Sequence, residues 1–341
     1  MAGIAWALGL SIAPTILYVL LLWWLDRYEK EPLHLLLAVF LWGAVPAIIL
    51  SIILELLFDI PITMLQPAQL AYDLLGASVS APLIEEAMKG LAILILFVTH
   101  KHEIDGPLDG LIYGAMAGLG FAAVENFFYL LGAFETGGLG GVVVLAFLRA
   151  GLFGLNHAMY TGFTGLGIAL ALQVRPLWLK LGLPVVGFIM AVLAHALHNT
   201  LATFWGYVPG DFPLLLAILV DWAGVLLLLV VAIWALLQER KHIRDYLTHQ
   251  GARVQFAAAD LPILLSPRRR WWERTRLLLT GDVRRWWVLG RYHHALTKAG
   301  FAWASWERAA RWSDARAKRQ AEQLLGKAEV AVLDARKRLT S

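Results

Sequence analysis

Several ionisable side chains lie inside long apolar stretches of this sequence. One stretch contains Pro-Leu-Ile-Glu-Glu-Ala-Met-Lys at 82–89, and the next contains Glu125-Asn126. Two later stretches contain Asn-His at 156–157 and His-Ala-Leu-His-Asn at 195–199. An ionisable side chain costs at least about 2.5 kcal/mol inside a bilayer, so such residues are rare and usually functional. These polar groups are therefore the first candidates for a functional site.

The spacing of these residues places them on shared helix faces. Glu85 and Glu86 lie four and three residues before Lys89, so one ammonium group can neutralise both carboxylates. His195 and Asn199 are also four residues apart and project together. Two adjacent carboxylates cannot both ionise cheaply in a low dielectric unless a cation lies close to them.

Carboxylates and imidazoles around a wet cavity suit the activation of water. One carboxylate can take a proton from water, while imidazole or amide donors stabilise the oxyanion of a tetrahedral intermediate. Glutamate and histidine can also bind Zn²⁺ and leave one position open for water. The candidate catalytic residues are Glu85, Glu86, Glu125, His195 and Asn199, with Lys89 and His157 in support; the candidate zinc ligands are Glu85, Glu125, His157 and His195.

The composition places these residues in a membrane. Of 341 residues, 59% are hydrophobic and 16% are charged, and the mean hydropathy is +0.65, whereas a soluble domain carries about 25% charged residues. The first 238 residues hold 7 Lys and Arg against 15 Asp and Glu, and the remaining 103 hold 22 against 10. We therefore expect a transmembrane domain over 1–238 and a basic tail over 239–341. Cysteine is absent, which excludes disulfides, thiolate ligands and a cysteine nucleophile.

The elements that position the candidates are apolar helices. A crossing needs about 20 mostly apolar residues, and the sequence predicts an all-α polytopic protein with seven spans, near 3–25, 33–57, 76–98, 107–131, 155–174, 181–206 and 213–238. The glycine-rich stretch 138–154, interrupted by Arg149, is either a re-entrant or interfacial helix or an eighth span. Arg149 either closes the site from outside or extends towards the interface, and we favour the second.

Loop charges predict the orientation. Lys and Arg occur in the loops at 26–32, 99–106 and 175–180 and in the tail, but not at 58–75, 132–140 or 207–212. If 138–174 crosses once, every basic loop is cytoplasmic, the N-terminus is outside and the C-terminus is inside. The candidate acids and histidines then all reach one depth, in the outer half of the membrane. With eight spans, the histidines would lie on the opposite side from the glutamates.

At these residues the sequence resembles the PrsW family, a branch of the superfamily of CAAX prenyl proteases and bacteriocin-processing proteins. The shared motifs are Glu-Glu-x-x-Lys at 85–89, Phe-x-x-x-Glu at 121–125 and His-x-x-x-Asn at 195–199, supported by DRYEKEP at 26–32 and DGLIYGAMAGLGFAAVEN at 109–126. The likeness covers about residues 10–206. Five motifs in the right order form a specific signal.

The resemblance implies hydrolysis of peptide bonds in membrane-anchored substrates such as anti-sigma factors. Glu85 would activate the water, Glu86 would support it, and His195 and Asn199 would form the oxyanion site. CAAX proteases carry a histidine where this chain has Glu125, and a later arginine in place of Lys89, whereas both residues match PrsW itself. The resemblance leaves a glutamate mechanism and a metal mechanism open.

Two other functions and several structural roles compete with this interpretation. A transporter would distribute its acids over several depths, whereas a non-catalytic assembly factor of the same fold would tolerate Glu85→Ala. Asn199 is also explained by a hydrogen bond to a neighbouring helix, and His198 by packing or hydrogen bonding. Asp221 has no obvious partner in the sequence. DRYEKEP reads most simply as a charged turn between two spans.

The sequence of the tail predicts basic helices. Arg and Trp are interleaved in RRRWWERTR and RRWWVLGRY, a pattern typical of helices that lie on an anionic leaflet. A small helical bundle with tryptophans in its core is compatible with that interpretation. Nucleic acid is not an expected partner of a chain tethered to a membrane.

Overall fold

A computed structural model describes residues 2–100, 103–312 and 315–340. The chain forms two compact units: a membrane unit of residues 1–25 and 31–232, and a tail unit of residues 26–30 and 233–341. Every regular element in these described ranges is helical, which confirms the all-α class. The domain boundary at 238/239 stays a prediction, six residues after the point where the compact units divide.

The described residues of the membrane unit form the helices α1 to α9. Their bounds are α1 Ala2–Leu25; α2 Leu33–Trp42 and α3 Ile48–Met64 joined by a π-helical segment Gly43–Ala47; α4 Gln69–Leu74 and α5 Ala81–Thr99 joined by Leu75–Ser80; α6 Pro107–Ala146 extended by Phe147–Leu152; α7 Asn156–Leu172; α8 Leu177–Tyr207; and α9 Phe212–Gln250. Two of these π-helical segments place a residue in the wall of one cavity, Ala77 and Arg149, and π-bulges are frequent at functional sites.

The membrane unit exposes its apolar side chains. Leu17, Val186 and Leu219 are 66%, 57% and 69% exposed, as expected where lipid is the solvent. Within the described residues, five helical stretches are long and apolar enough to cross a membrane: Ala2–Leu25, Leu33–Met64, Pro107–Leu172, Leu177–Tyr207 and Phe212–Val254. The chain is therefore a multi-pass membrane protein, and the number of seven crossings stays a prediction.

The stretch 138–154 doubles back along the end of α6. Gly138 interrupts the helix with φ 58° and ψ −152°, a conformation that glycine adopts without steric cost. Beyond this turn, Val142 and Ala146 pack with Leu130, and Arg149 reaches Glu125. The chain then breaks at 153–155 and continues in α7, antiparallel to the first part of α6. Residues 139–172 thus run in the direction opposite to residues 107–137.

Glycines allow α6 and α7 to approach closely. A methyl group on Gly110, Gly114 or Gly118 would overlap a carbonyl oxygen of Gly165, Thr161 or His157, respectively. Small residues at such positions let membrane helices pack through their backbones. The consequence for the site is that the start of α7, with His157, lies directly against α6.

The tail unit has an ordinary apolar core. It contains the end of α9, α10 Leu261–Leu264, α11 Pro267–Leu279, α12 Val283–Arg311 and α13 Ala315–Thr340. Tyr246, Leu296 and Val332 are fully buried in its core. Tyr28 packs there too, 6% exposed, and its hydroxyl donates to the carbonyl oxygen of Leu265 at 2.9 Å. The middle of DRYEKEP is therefore part of the tail core and more than the charged turn that we expected.

Candidate active site

Lys89 joins the two adjacent glutamates of α5. Its Nζ lies 3.1 Å from Glu85 Oε2 and 2.6 Å from Glu86 Oε1, and its side chain is fully buried. It also lies 3.1 Å from His157 Nδ1 and 4.1 Å from the centre of the Phe121 ring. The spacing therefore produced the predicted contacts: one ammonium group serves both carboxylates.

The two glutamates have different surroundings, although they are neighbours in sequence. Glu86 accepts from Lys89, from the Thr161 hydroxyl at 2.9 Å and from His195 Nδ1 at 3.0 Å, and its side chain is 0% exposed. Glu85 instead lines a cavity of about 550 Å³. Of the pair, Glu85 is the carboxylate that can meet a water molecule or a substrate.

The Glu125 carboxylate is held by two side chains that contact the same oxygen. Arg149 donates to its Oε2 at 2.6 Å, and His157 Nε2 lies 2.9 Å from the same oxygen. Arg149 also donates to Asn126 and covers the Tyr129 ring. Our expectation that Arg149 extends towards the interface was wrong, because the turn at Gly138 brings it back to Glu125.

His195 completes the group from α8. Its Nδ1 contacts Glu86, its Nε2 lies 3.9 Å from Glu85 Oε2, and its ring stacks on Tyr160 at 4.7 Å. Asn199, one turn later, donates to the carbonyl oxygen of Ala77 at 2.8 Å and lines the cavity. The structure thus brings all seven predicted site residues to the cavity or to residues in its wall.

A further polar group was not selected from the sequence. Asp221 of α9 is 2% exposed, and its Oδ2 lies 2.6 Å from His198 Nδ1 and 2.9 Å from Asn156 Nδ2. No partner for Asp221 was evident from the sequence, and the structure pairs it with His198 on a different helix. The available signal was the presence of a lone acid inside a span, which by itself indicates function.

Four side chains offer donor atoms suited to a metal ion. One donor atom from each of Glu85, Glu86, His157 and His195 lies within 4.8 Å of the others. Glu125 was expected in this set and Glu86 takes its place, because Arg149 and His157 Nε2 hold the Glu125 carboxylate. Two carboxylates and two imidazoles form a donor set that Zn²⁺ accepts, so the residues present fit such an ion.

Comparison with known proteins identifies the family. The family model described as PrsW family intramembrane metalloprotease matches residues 31–237, which include every site residue named above. The match ends at residue 237, next to the predicted domain boundary at 238/239.

Curated relatives agree with this assignment. "Protease PrsW" of Geobacillus kaustophilus is 28% identical over 71% of this chain and 93% of its own length. "Protease PrsW" of Bacillus subtilis is 28% identical over 66% of this chain and 88% of its own length. No solved structure matches. The chain therefore belongs to the PrsW family of intramembrane metalloproteases and is a peptidase of the membrane.

Proposed function

We propose that this peptidase hydrolyses peptide bonds of membrane-anchored proteins, of the anti-sigma-factor kind, with a water molecule activated by Glu85. The observation that carries the proposal is the asymmetry of the glutamate pair. Glu86 has its oxygens engaged by buried partners, whereas Glu85 faces a cavity large enough for an extended peptide segment.

In this mechanism Glu85 accepts a proton from the attacking water. Lys89 lies 3.1 Å from its Oε2 and balances the charge of the carboxylate pair. Glu86 orients the His195 ring through Nδ1, and Nε2 of that ring is directed towards Glu85. A substrate carbonyl between Glu85 and His195 would place its developing oxyanion beside the imidazole.

Asn199 supplies a second donor for the oxyanion. An amide NH₂ group has two hydrogens, and one of them is used on the carbonyl oxygen of Ala77. The other is available to a ligand in the cavity that Asn199 lines. The bond to Ala77 fixes the amide in place, so this donor is preorganised.

The metal that the family description implies is Zn²⁺ in our proposal. Glu85, Glu86, His157 and His195 would hold it, and the ion would supply Lewis acidity and a more acidic bound water. Lys89 contacts three of these four residues, so its ammonium group and a divalent cation compete for the same donor atoms.

The substrate reaches the cavity from the outer half of the membrane in the orientation that loop charges favour. With the N-terminus outside and the C-terminus in the cytoplasm, Glu85, Glu125 and His195 lie in the outer half of their helices. The cleaved bond then lies near the outer juxtamembrane region of a single-span protein.

The test is cleavage in proteoliposomes. The full chain is reconstituted with a panel of fluorescently labelled single-span proteins that carry different outer juxtamembrane sequences, and fragments are mapped by mass spectrometry. The wild type should cleave at least one of them, while Glu85→Gln and His195→Gln should not. Glu135→Gln, which changes an exposed carboxylate, is the matched control and should cleave normally.

Two additional arms separate the alternatives. Inhibition by a membrane-permeant chelator that is reversed by Zn²⁺ supports the metal mechanism, whereas unchanged cleavage supports the glutamate mechanism. Cleavage that survives both Glu85→Gln and His195→Gln would end the proposal. Proton or ion flux without cleavage would favour a transporter.

For the tail, we propose contact with anionic lipid through the α11–α12 hairpin. Trp271, Trp272 and Trp287 are 64%, 58% and 50% exposed, and Leu279 at the end of α11 is 77% exposed. Exposed tryptophans beside many arginines are suited to a lipid interface. Brominated anionic lipids should quench the tail fluorescence of the wild type more than that of Trp271→Phe/Trp272→Phe. Equal quenching would contradict lipid contact.

A further inference from the structure

A second pair of an acid and an imidazole lies in the wall of the active-site cavity. Asp221 of α9 and His198 of α8 approach to 2.6 Å, with the carboxylate side chain 2% exposed and the imidazole 16% exposed. His198 lines the same cavity as Glu85, together with Asn156 and Asn199. The proposed function uses neither member of this pair.

The contacts determine which nitrogen of His198 carries the bonding proton. A 2.6 Å separation between Nδ1 and a carboxylate oxygen requires a hydrogen on Nδ1, because an unprotonated nitrogen would repel the oxygen. Asn156 Nδ2 donates to the same oxygen at 2.9 Å. Asp221 therefore accepts two hydrogen bonds and fixes both the tautomer and the direction of the ring.

The other ring nitrogen of His198, Nε2, has different surroundings. Its Nε2 has no hydrogen bond to any residue in the described ranges, and Phe153 packs edge-on against the ring at 4.8 Å. Of the titratable side chains in these ranges, Asp221 is the one that bonds His198 directly. The His198 ring is thus fixed in place through Nδ1. Its Nε2 has no such hydrogen bond, and the residue lines the cavity.

We propose that His198 is a catalytic proton donor to the leaving amine, with Asp221 and Asn156 as positioning residues. The inference rests on the proposed function. After water adds to the carbonyl carbon and Glu85 holds its proton, the carbon–nitrogen bond breaks and its electron pair stays on nitrogen. The proton donor in this step is the His198 imidazolium, which keeps its Nδ1–H on Asp221 and gives its Nε2 proton to the departing nitrogen. The products are a neutral amine, a carboxylic acid and a neutral imidazole. Proton exchange with water restores both side chains.

The reaction needs a proton donor in addition to the base Glu85 for a chemical reason. An amide nitrogen is a poor leaving group unless it is protonated as it departs, so a second proton-transfer group accelerates amide cleavage. Glu86 is unsuited to this task, because its carboxylate oxygens are hydrogen-bonded to Lys89, Thr161 and His195 and the residue does not line the cavity. The pairing of a buried carboxylate with Nδ1 of a partly exposed imidazole repeats an arrangement that serves general acid–base catalysis on unrelated folds.

The experiment varies the leaving group. A single-span substrate that the wild type cleaves is made by semisynthesis in two forms, one with the natural scissile amide and one with a thioester at the same bond. A thiolate leaves without prior protonation, whereas an amine does not. The full-length wild type, His198→Gln, Asp221→Asn and Glu85→Gln proteins are compared in proteoliposomes.

We expect His198→Gln to slow amide cleavage by about 10²- to 10³-fold and thioester cleavage by less than about threefold. Asp221→Asn should give the same direction of selectivity with a smaller amide loss, about tenfold, because the ring remains but its orientation is less fixed. Glu85→Gln should abolish cleavage of both substrates. The ratio of the two rates does not depend on how much of a variant is folded.

Equal loss of both activities in His198→Gln would overturn the inference and leave the proposed function standing, since it would show a structural role for the pair. Unchanged amide cleavage would overturn it as well. A wild type that cleaves neither form would instead remove the proposed function, and the role of His198 with it.

Discussion

The membrane unit exposes many large apolar side chains and buries charged ones, whereas the tail unit buries an apolar core and exposes charged side chains. In the membrane unit, Glu86 and Lys89 are 0% exposed while Leu219 is 69% exposed; in the tail, Tyr246 and Leu296 are 0% exposed, and the charged Arg285 side chain is 63% exposed. The two units are therefore folded for two different solvents.

This difference explains why polar residues are informative in one unit and uninformative in the other. A charge on the tail surface is solvated by water and needs no reason to be there. A charge inside the membrane unit is costly unless it is paired, and in the active site the pairs join α5, α6, α7, α8 and α9. Changing these pairs, and making matched changes elsewhere, tests the comparison.

The largest effect is expected at Glu85. Glu85→Gln should lower cleavage by about 10³- to 10⁴-fold, because the variant keeps the shape of the side chain and loses its basicity. Turnover of a cleaved single-span substrate is the measurement. Glu135→Gln should leave turnover within twofold. Similar losses in both variants would mean that the buried Glu85 and the exposed Glu135 do not differ in function.

A stability effect of about 3–5 kcal/mol is expected at Lys89. Lys89→Met leaves Glu85 and Glu86 buried without their shared cation, and the melting temperature in lipid nanodiscs should fall. The double variant Lys89→Met/Glu86→Gln should recover part of that loss, since one uncompensated carboxylate is removed. If the double variant is less stable than the single one, the carboxylate pair is not what Lys89 stabilises.

A smaller loss, about 1–3 kcal/mol, is expected from overpacking the α6–α7 contact. Gly118→Ala adds a methyl group against the carbonyl oxygen of His157, whereas Gly132→Ala on the same helix meets nothing within 4 Å. Melting temperature and turnover should both fall in Gly118→Ala and stay unchanged in Gly132→Ala. Equal behaviour of the two variants would argue against backbone-to-backbone packing at this site.

The smallest effect concerns the tail and pH. Burial, together with Arg270 and Arg274, lowers the pKa of His293 to about 3; Glu273 lies 4.0 Å away but is 39% exposed and offsets little of this. Since the unfolded chain binds a proton near pH 6.5 and the folded tail does not, the stability is complete above that pH. It should fall by about 1.4 kcal/mol at pH 5.5.

Denaturation of the full-length protein, followed by tryptophan fluorescence at pH 7.5 and 5.5, measures this change. His293→Gln should remove most of the difference between the two pH values. A tail whose stability does not change over this range would show that His293 is solvated, and the contrast between the two units would then be sharper.

Much of the active site could be predicted from the sequence, because local spacing and membrane physics act together there. The contacts of Lys89 with Glu85 and Glu86 follow from helical periodicity alone. The meeting of Glu125, His157 and His195 was predicted from the common depth that the loop charges assign to them. Both arguments need only a helix and a bilayer.

The remainder depended on contacts that no periodicity encodes. The return of Arg149 to Glu125 requires the turn at Gly138, and glycine is too common in membrane helices to mark one turn. The pairing of His198 with Asp221 and the choice of Glu86 over Glu125 among the metal donors depend on how helices are rotated against each other. Packing of whole helices sets those rotations, so three-dimensional structure was needed.

Residues 26–30 belong to the tail unit, although the helices on both sides of them belong to the membrane unit. The polypeptide consequently passes from one unit to the other three times, at 25/26, 30/31 and 232/233. A shortened protein that ends near residue 238 would leave Tyr28 without the Leu265 carbonyl and without Arg270, which donates to the Tyr28 carbonyl at 3.1 Å. Deleting the tail is therefore not a clean truncation, and loss of activity in such a variant would report on the link between the first two helices as well.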